Sequence, residues 1–249
     1  MASNLASRLR DGTQQSHTAA ENTAFMKCVL KGMVVRESFR KLLANLYYVY
    51  STLEEALQRH QNHAVVGAIY FPELNRTPNL ELDLVFYYGE HWRNQIQPLN
   101  AGLAYVKHIR EVAAHSPELL VAHAYVRYMG DLSGGQSLKK IIRTALDLPP
   151  GRGTGLYEFE QLPTLEARHT FKAKYRDTLN SLPLNQATIQ RIVLEANAAF
   201  EFNRKAMLEL EAEVKAEIGE PVFNLVTHQE KLGSTVKTAG RAVELIDTE

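Results

Sequence analysis

Tyr128-Met-Gly-Asp-Leu-Ser-Gly-Gly-Gln136 places three glycines and one carboxylate inside a stretch otherwise patterned as helix. The stretch opens at Ser116-Pro117-Glu118, an N-cap residue followed by a first-turn proline and a first-turn acid. Apolar Leu120, Val121, Ala124, Tyr128, Leu132, Ile142 and Leu146 follow, and Pro149-Pro150 forbid further helix. One continuous helix over 117–147 is therefore expected. A mid-helix Gly costs about 1 kcal/mol relative to Ala, so Gly130, Gly134 and Gly135 would together forfeit about 3 kcal/mol. Gly130 and Gly134 are four apart and share a face, with Asp131 beside them. This is the pattern of a helix thinned for a flat partner, with one ionisable group at its edge. A close helix crossing or a kink would use the same spacing.

The chain has 249 residues, 45% of them hydrophobic, enough for one sizeable core. Its 28 basic and 28 acidic residues cancel, which argues against nucleic acid as a partner. A single cysteine, Cys28, excludes an internal disulfide framework and fits a reducing compartment. Neither a secretory leader nor an apolar run of membrane-spanning length is present, so a soluble, cytosolic protein is expected.

Prolines punctuate a helical text, with helices expected over about 4–27, 36–61, 79–95, 99–114, 117–147, 164–181 and 184–219. Val65–Phe71 is the one apolar run that competes as a strand. The expected architecture is a single all-α domain over 1–220. From 221 to 249 the apolar periodicity is lost, suggesting a mobile or loosely docked tail.

Among nine histidines, His60-x-x-His63 lacks a third ligand at zinc spacing. Glu166-x-x-His169 lacks the second copy that a di-iron bundle needs. His91, His108, His115, His123 and His228 have no distinguishing sequence neighbours, which leaves surface or core roles. His17 differs: small Ser16, Thr18, Ala19 and Ala20 leave room over the imidazole. Glu21, one turn on, is placed to accept its other ring proton and fix a ligating tautomer. An ordinary i,i+4 surface pair has the same spacing. In Phe171-Lys-Ala-Lys-Tyr-Arg176, Lys172 and Arg176 share a helical face. Together with Arg10, two turns before His17, they would suit a dianionic ligand.

These clusters, in this order, resemble the heme oxygenases. The matching segments are His17-Thr-x-Ala-Glu21, Leu46-Tyr-Tyr-x-Tyr50, Tyr70-Phe-Pro72, Leu119-Leu-Val-Ala-His-Ala-Tyr125-x-Arg-Tyr128, Gly130-Asp-Leu-Ser-Gly-Gly135-Gln and Phe171-Lys-x-x-Tyr-Arg176. The resemblance covers residues 5–210 and implies a multi-helical bundle that sandwiches heme b, substrate and cofactor at once, between a proximal and a distal helix. It implies His17 as the iron ligand, with Glu21 behind it. Gly130, Gly134 and Gly135 would form the wall over the porphyrin and bound O2. Asp131 would hold a water network with Tyr50 and Arg127. Arg10, Tyr125, Lys172 and Arg176 would surround the propionates, with Phe200 and Asn203 near the heme on the last long helix.

The implied reaction is cleavage at the α-meso carbon to biliverdin IXα, ferrous iron and carbon monoxide. A non-catalytic heme-binding protein would share His17 and the propionate clamp without needing Asp131. Unlike the membrane-bound animal members, the chain has no hydrophobic C-terminal anchor. It therefore resembles the soluble cyanobacterial and plastid type, which takes electrons from reduced ferredoxin and feeds bilin-pigment synthesis through a bilin reductase. Lys139, Lys140 and Arg143 are the candidate docking patch for an acidic ferredoxin.

Overall fold

The computed structural model describes residues 4–228, and every regular element among them is helical. The expected first helix is three: α1 (Leu5–Gly12), α2 (Gln14–Glu21) and α3 (Ala24–Leu30). At the first break the Thr13 hydroxyl turns back to Leu9 O at 2.7 Å. At the second, Thr23 Oγ1 accepts from Met26 N at 3.3 Å and starts α3 afresh. α4 (Arg36–Arg59) and α7 (Asn100–His115) follow the sequence reading closely. Val65–Phe71 is not a strand; it contains a short helix, α5 (Val66–Ile69). α6 (Thr77–Tyr88) stops short of residue 95 because Gly89 takes φ 81°, a left-handed C-terminal cap.

The largest departure is in the glycine-rich stretch. In place of one helix there are two, α8 (Leu120–Leu132) and α9 (Gly134–Ala145), with an elbow at Ser133 (φ −115°, ψ −93°). Gly130 therefore lies in the last turn of α8, and Gly134 and Gly135 open α9. The full mid-helix penalty is not incurred, because helix termini tolerate glycine.

α10 (Leu165–Ser181) precedes α11 (Gln186–Ile218), whose 33 residues make a rod about 50 Å long. α11 packs against α1, α2, α3, α4, α7 and α8, while α4 also carries α6 and α7. Leu43, Leu53, Leu120, Val121, Ala124, Ile189, Ile192 and Ala196, all fully buried or nearly so, fill the space between these helices. After Gly219 (φ 82°), α12 (Glu220–Thr227) lies on α3, where Lys27 Nζ donates to Thr227 O at 2.8 Å. α12 buries none of its residues fully, and 229–249 of the expected tail lie outside the described residues.

Behind the elbow, buried Asp83 on α6 accepts from Gly155 N at 2.7 Å and Leu156 N at 2.9 Å, fixing the turn that carries Tyr157. Burial pushes the Asp83 carboxyl up to about 6 despite those two donors. Between pH 4 and 6 the unfolded chain releases this proton while the fold retains it, so stability is lost as pH rises through that window. We expect the stability advantage of wild type over Asp83→Asn, measured by urea unfolding from pH 4.5 to 7, to shrink with rising pH by up to ~3 kcal/mol and then level off.

Candidate active site

Arg127, on α8, collects the groups around the elbow. Its Nε donates to Tyr50 Oη at 3.1 Å and its Nη1 to Asn203 Oδ1 at 2.7 Å. Asn203 is itself held by its amide, which donates to Ala199 O at 2.7 Å. Tyr50 passes the chain on, donating to Asp131 Oδ2. The other carboxylate oxygen, Asp131 Oδ1, has the Arg127 Nη2 only at 3.8 Å, beyond hydrogen-bond length. Asp131 is 5% exposed, and burial raises its carboxyl pKa against the pull of Arg127 and the Tyr50 hydroxyl. Burial likewise drives the Tyr50 phenol well above its ordinary range. The result is a carboxyl that keeps its proton to higher pH than usual, with one oxygen tied and one unclaimed.

The elbow is pinned by a residue of the opening motif that carried no assigned role. Gln136 Nε2 donates to Asp131 O at 3.2 Å and to Tyr157 O at 3.0 Å, joining α8, α9 and the turn behind them. The three glycines divide. A Cβ on Gly130 or Gly134 would meet nothing within 4 Å, and both residues are exposed. A Cβ on Gly135 would lie 2.8 Å from Tyr157 Cδ1, so Gly135 is glycine because Tyr157 packs there. Gly135 therefore differs from the two exposed glycines expected beside it: it is buried, with Tyr157 against it. Tyr157 could not be found from the sequence, since it arrives from a turn more than twenty residues away with no helical pattern of its own.

On α2, His17 Nδ1 lies 3.5 Å from Glu21 Oε2, and no direct hydrogen bond reaches that buried nitrogen. The expected Glu21 contact is thus present as an ion-pair approach, longer than a hydrogen bond that would lock the tautomer. The Phe200 ring stands edge-on to the His17 imidazole at 5.6 Å between centroids. Ser16 donates to Asn197, and Asn197 donates to Gly12 O at 3.0 Å, fastening α2 onto α11. Phe200 and Asn203 are i and i+3 on α11, so the His17 side and the Arg127 network adjoin one stretch of a single helix. Both α2 and α8 pack on α11.

A cationic rim adjoins the elbow. Lys172 Nζ reaches Ser133 Oγ at 3.4 Å, and its pKa is lowered by burial and by the neighbouring Arg176 and Arg168 charges. Among the described residues no carboxylate pairs with Lys172 or Arg176. Burial raises the Tyr125 phenol, and the Arg10 and Arg176 charges draw it back. Arg10 is exposed and also pairs with Asp11 at 2.8 Å. Lys174 is turned away, over the Phe71 ring at 4.8 Å.

Other sequence candidates separate cleanly. His63 Nδ1 accepts from Val65 N at 3.2 Å and Val66 N at 3.3 Å, capping α5 and spending the nitrogen a zinc ion would need. In the proposed docking patch, Lys139 pairs with Glu158 at 2.6 Å. Arg143 turns inward to Leu148 O, Pro149 O, Arg152 O and Thr154 Oγ1. Lys140 alone of the three is an outward, exposed cation.

The model of the heme oxygenase family matches residues 3–209. The chain belongs to the heme oxygenase family. It is 59% identical over 245 residues to heme oxygenase 2 of Synechocystis sp., covering 98% of each chain. It is 53% identical to heme oxygenase 1 of Nostoc sp., covering 94% of this chain and 98% of that one. The crystal structure of heme oxygenase-2 from Synechocystis sp. in complex with heme and NO matches at a TM-score of 0.93 and 60% identity. That match covers 94% of this chain and 96% of the other. Among the described residues no helix is long and apolar enough to cross a membrane.

The split between the glycines makes a direct expectation. Gly135→Ala forces the Tyr157 ring to move and should cost about 1–3 kcal/mol in urea unfolding. Gly134→Ala meets open space and should leave stability unchanged or slightly raised. Equal destabilisation by both would refute the assignment of Tyr157 as the reason for Gly135.

Proposed function

We propose that the chain cleaves heme b at its α-meso carbon to biliverdin IXα, ferrous iron and carbon monoxide, in a soluble, cytoplasmic setting. O2 is the oxidant and reduced ferredoxin the electron donor. Family membership makes the chain a heme-degrading oxygenase; the finer reading rests on how its residues fit the substrate. The observation that carries it is the Asp131–Tyr50–Arg127 network set directly beside the bare, exposed backbone of Gly130 and Gly134.

The fit to heme is chemical as well as steric. Lys172 and Arg176 form a cationic rim that suits the two propionates, with Arg10 and Tyr125 alongside. His17 would hold the iron, with Glu21 near its Nδ1 and Phe200 bracing the ring. Bound heme supplies both the ring that is cleaved and the iron at which oxygen is activated. An imidazole ligand donates less charge to that iron than a thiolate would, so O–O cleavage is not forced early.

The chain's own residues do the rest. The exposed glycine edge lets a flat molecule approach the α8 backbone without meeting a side chain. Asp131, its carboxyl pKa raised by burial and its Oδ1 unclaimed, is placed to relay a proton through water to the oxygen side of the site. Arg127 and Tyr50 keep that carboxyl oriented through its other oxygen. For the donor, Lys140 is the one member of the expected patch left exposed, so ferredoxin docking must draw on further cations. The product then passes to a bilin reductase.

Two measurements test this reading. His17→Ala should lose the histidine-ligated Soret spectrum of the heme complex and its turnover, with partial recovery in added imidazole. Asp131→Ala should bind heme normally yet release carbon monoxide roughly 10²-fold more slowly, the usual worth of a positioned proton donor. Undiminished carbon monoxide release in Asp131→Ala would remove that residue from the mechanism. Heme binding without carbon monoxide or biliverdin in the wild-type chain would favour a non-catalytic heme protein. Ferredoxin-driven turnover should fall steeply between about 50 and 300 mM salt; indifference to salt would exclude electrostatic docking.

A further inference from the structure

Three residues without a sequence signal meet at the junction of α7, α8 and α11. They are His108, His123 and Glu195, and one ligand atom from each lies within 4.8 Å of the other two. Both imidazoles address the same carboxylate oxygen. His108 Nε2 is in direct contact with Glu195 Oε1, and His123 Nε2 lies 3.1 Å from it. The second approach is not a hydrogen bond by direction: His123 Nε2 is buried and has no partner in hydrogen-bond geometry. A buried nitrogen left this way is costly, and His123 is wholly inaccessible to solvent.

The electrostatic setting agrees with the geometry. Burial lowers the His123 pKa, which favours the neutral imidazole that a metal ion binds. Burial pushes the Glu195 carboxyl up, but the adjacent His123 and His108 imidazoles outweigh it and leave its pKa below the usual carboxylate range. On the far side of the ring, the Tyr105 hydroxyl lies 3.1 Å from His123 Nδ1, the outer contact that orients a ligating histidine. Phe202 stacks on Tyr105 at 4.9 Å and leans on His108 at 5.2 Å, walling one side of the cluster. The His108 side chain is 31% exposed and Glu195 13%, which provides an entrance from solvent.

We propose that His108, His123 and Glu195 form a binding site for a divalent first-row transition-metal ion, separate from the heme site. Two imidazoles and one carboxylate on three rigid helices are a donor set for Zn2+, Co2+ or Fe2+ and a poor one for Mg2+ or Ca2+. Ligand atoms about 2.1 Å from one ion lie roughly 3–4.2 Å apart, so the cluster needs only a small outward adjustment to accept it. The ion satisfies the His123 nitrogen and replaces the crowded three-way contact at Glu195 Oε1. Water completes its coordination on the exposed side.

The test is calorimetric titration of the full-length, untagged, EDTA-treated protein with Zn2+. One equivalent should bind in wild type, and His108→Ala and Glu195→Gln should each weaken it at least tenfold. A His60→Ala/His63→Ala double variant should leave the same event unchanged. His108 is partly at the surface, so an unchanged metal-free melting curve for His108→Ala, together with an unchanged heme titration, shows that the loss is local. The proposal is overturned if wild type binds no stoichiometric Zn2+. It is equally overturned if His108→Ala titrates like wild type, or if the event disappears with His60 and His63.

Discussion

The largely buried guanidinium of Arg127, its side chain 13% exposed, is the contact on which the rest of the site depends. A cation removed from water is costly unless its N–H groups are met, and here they are met from two sides with a carboxylate close by. Tyr50 comes from α4, Asn203 from α11 and Asp131 from the next turn of α8. The guanidinium also lies 4.9 Å from the centroid of the Tyr50 ring. Only a planar fork can answer all of these at once; a lysine ammonium, a point donor on a flexible stem, would leave at least one unpaired. Because Tyr50 and Asn203 sit on two other helices, satisfying this one charge fixes the position of α8 relative to α4 and α11. The orientation of Asp131 is a by-product of that requirement.

The elbow meets two opposed demands. Its backbone must turn sharply at Ser133 and also leave the outer edge bare. Gln136 supplies the bracing from the inside by spanning two carbonyls, and Tyr157 fills the space where Gly135 has no side chain. Most of the support comes from behind, through Asp83 and the turn it holds. Lys172 is the exception, reaching Ser133 from the cationic rim on α10.

Much of this was legible in the sequence. The helical class, the starts of α4, α7 and α10, and the residues now found around Arg127 follow from apolar spacing, capping residues and the family motifs. Three things were not. The division of 117–147 into two helices depends on a backbone turn at Ser133, a residue with no breaker signature of its own. The glycine spacing that pointed to a thin face is equally the spacing of a bend. The separate reason for Gly135 depends on Tyr157, a long-range contact that no local pattern encodes. The convergence of His108 with His123 and Glu195 requires the packing of α7, α8 and α11, and each residue alone looks ordinary. The partners of Lys139 and Arg143 were hidden for a similar reason: both read as free surface charges until Glu158 and the backbone carbonyls near them are seen.

α11 also sets the width of the cleft. The walls carrying His17 and Arg127 are each registered to this one rod, through Asn197 and Asn203 respectively. Their separation is therefore set by the rod itself, with less than two helical turns between the two asparagines. A flat guest needs a slot of one width, and two walls pinned to a common axle hold that width without having to touch each other.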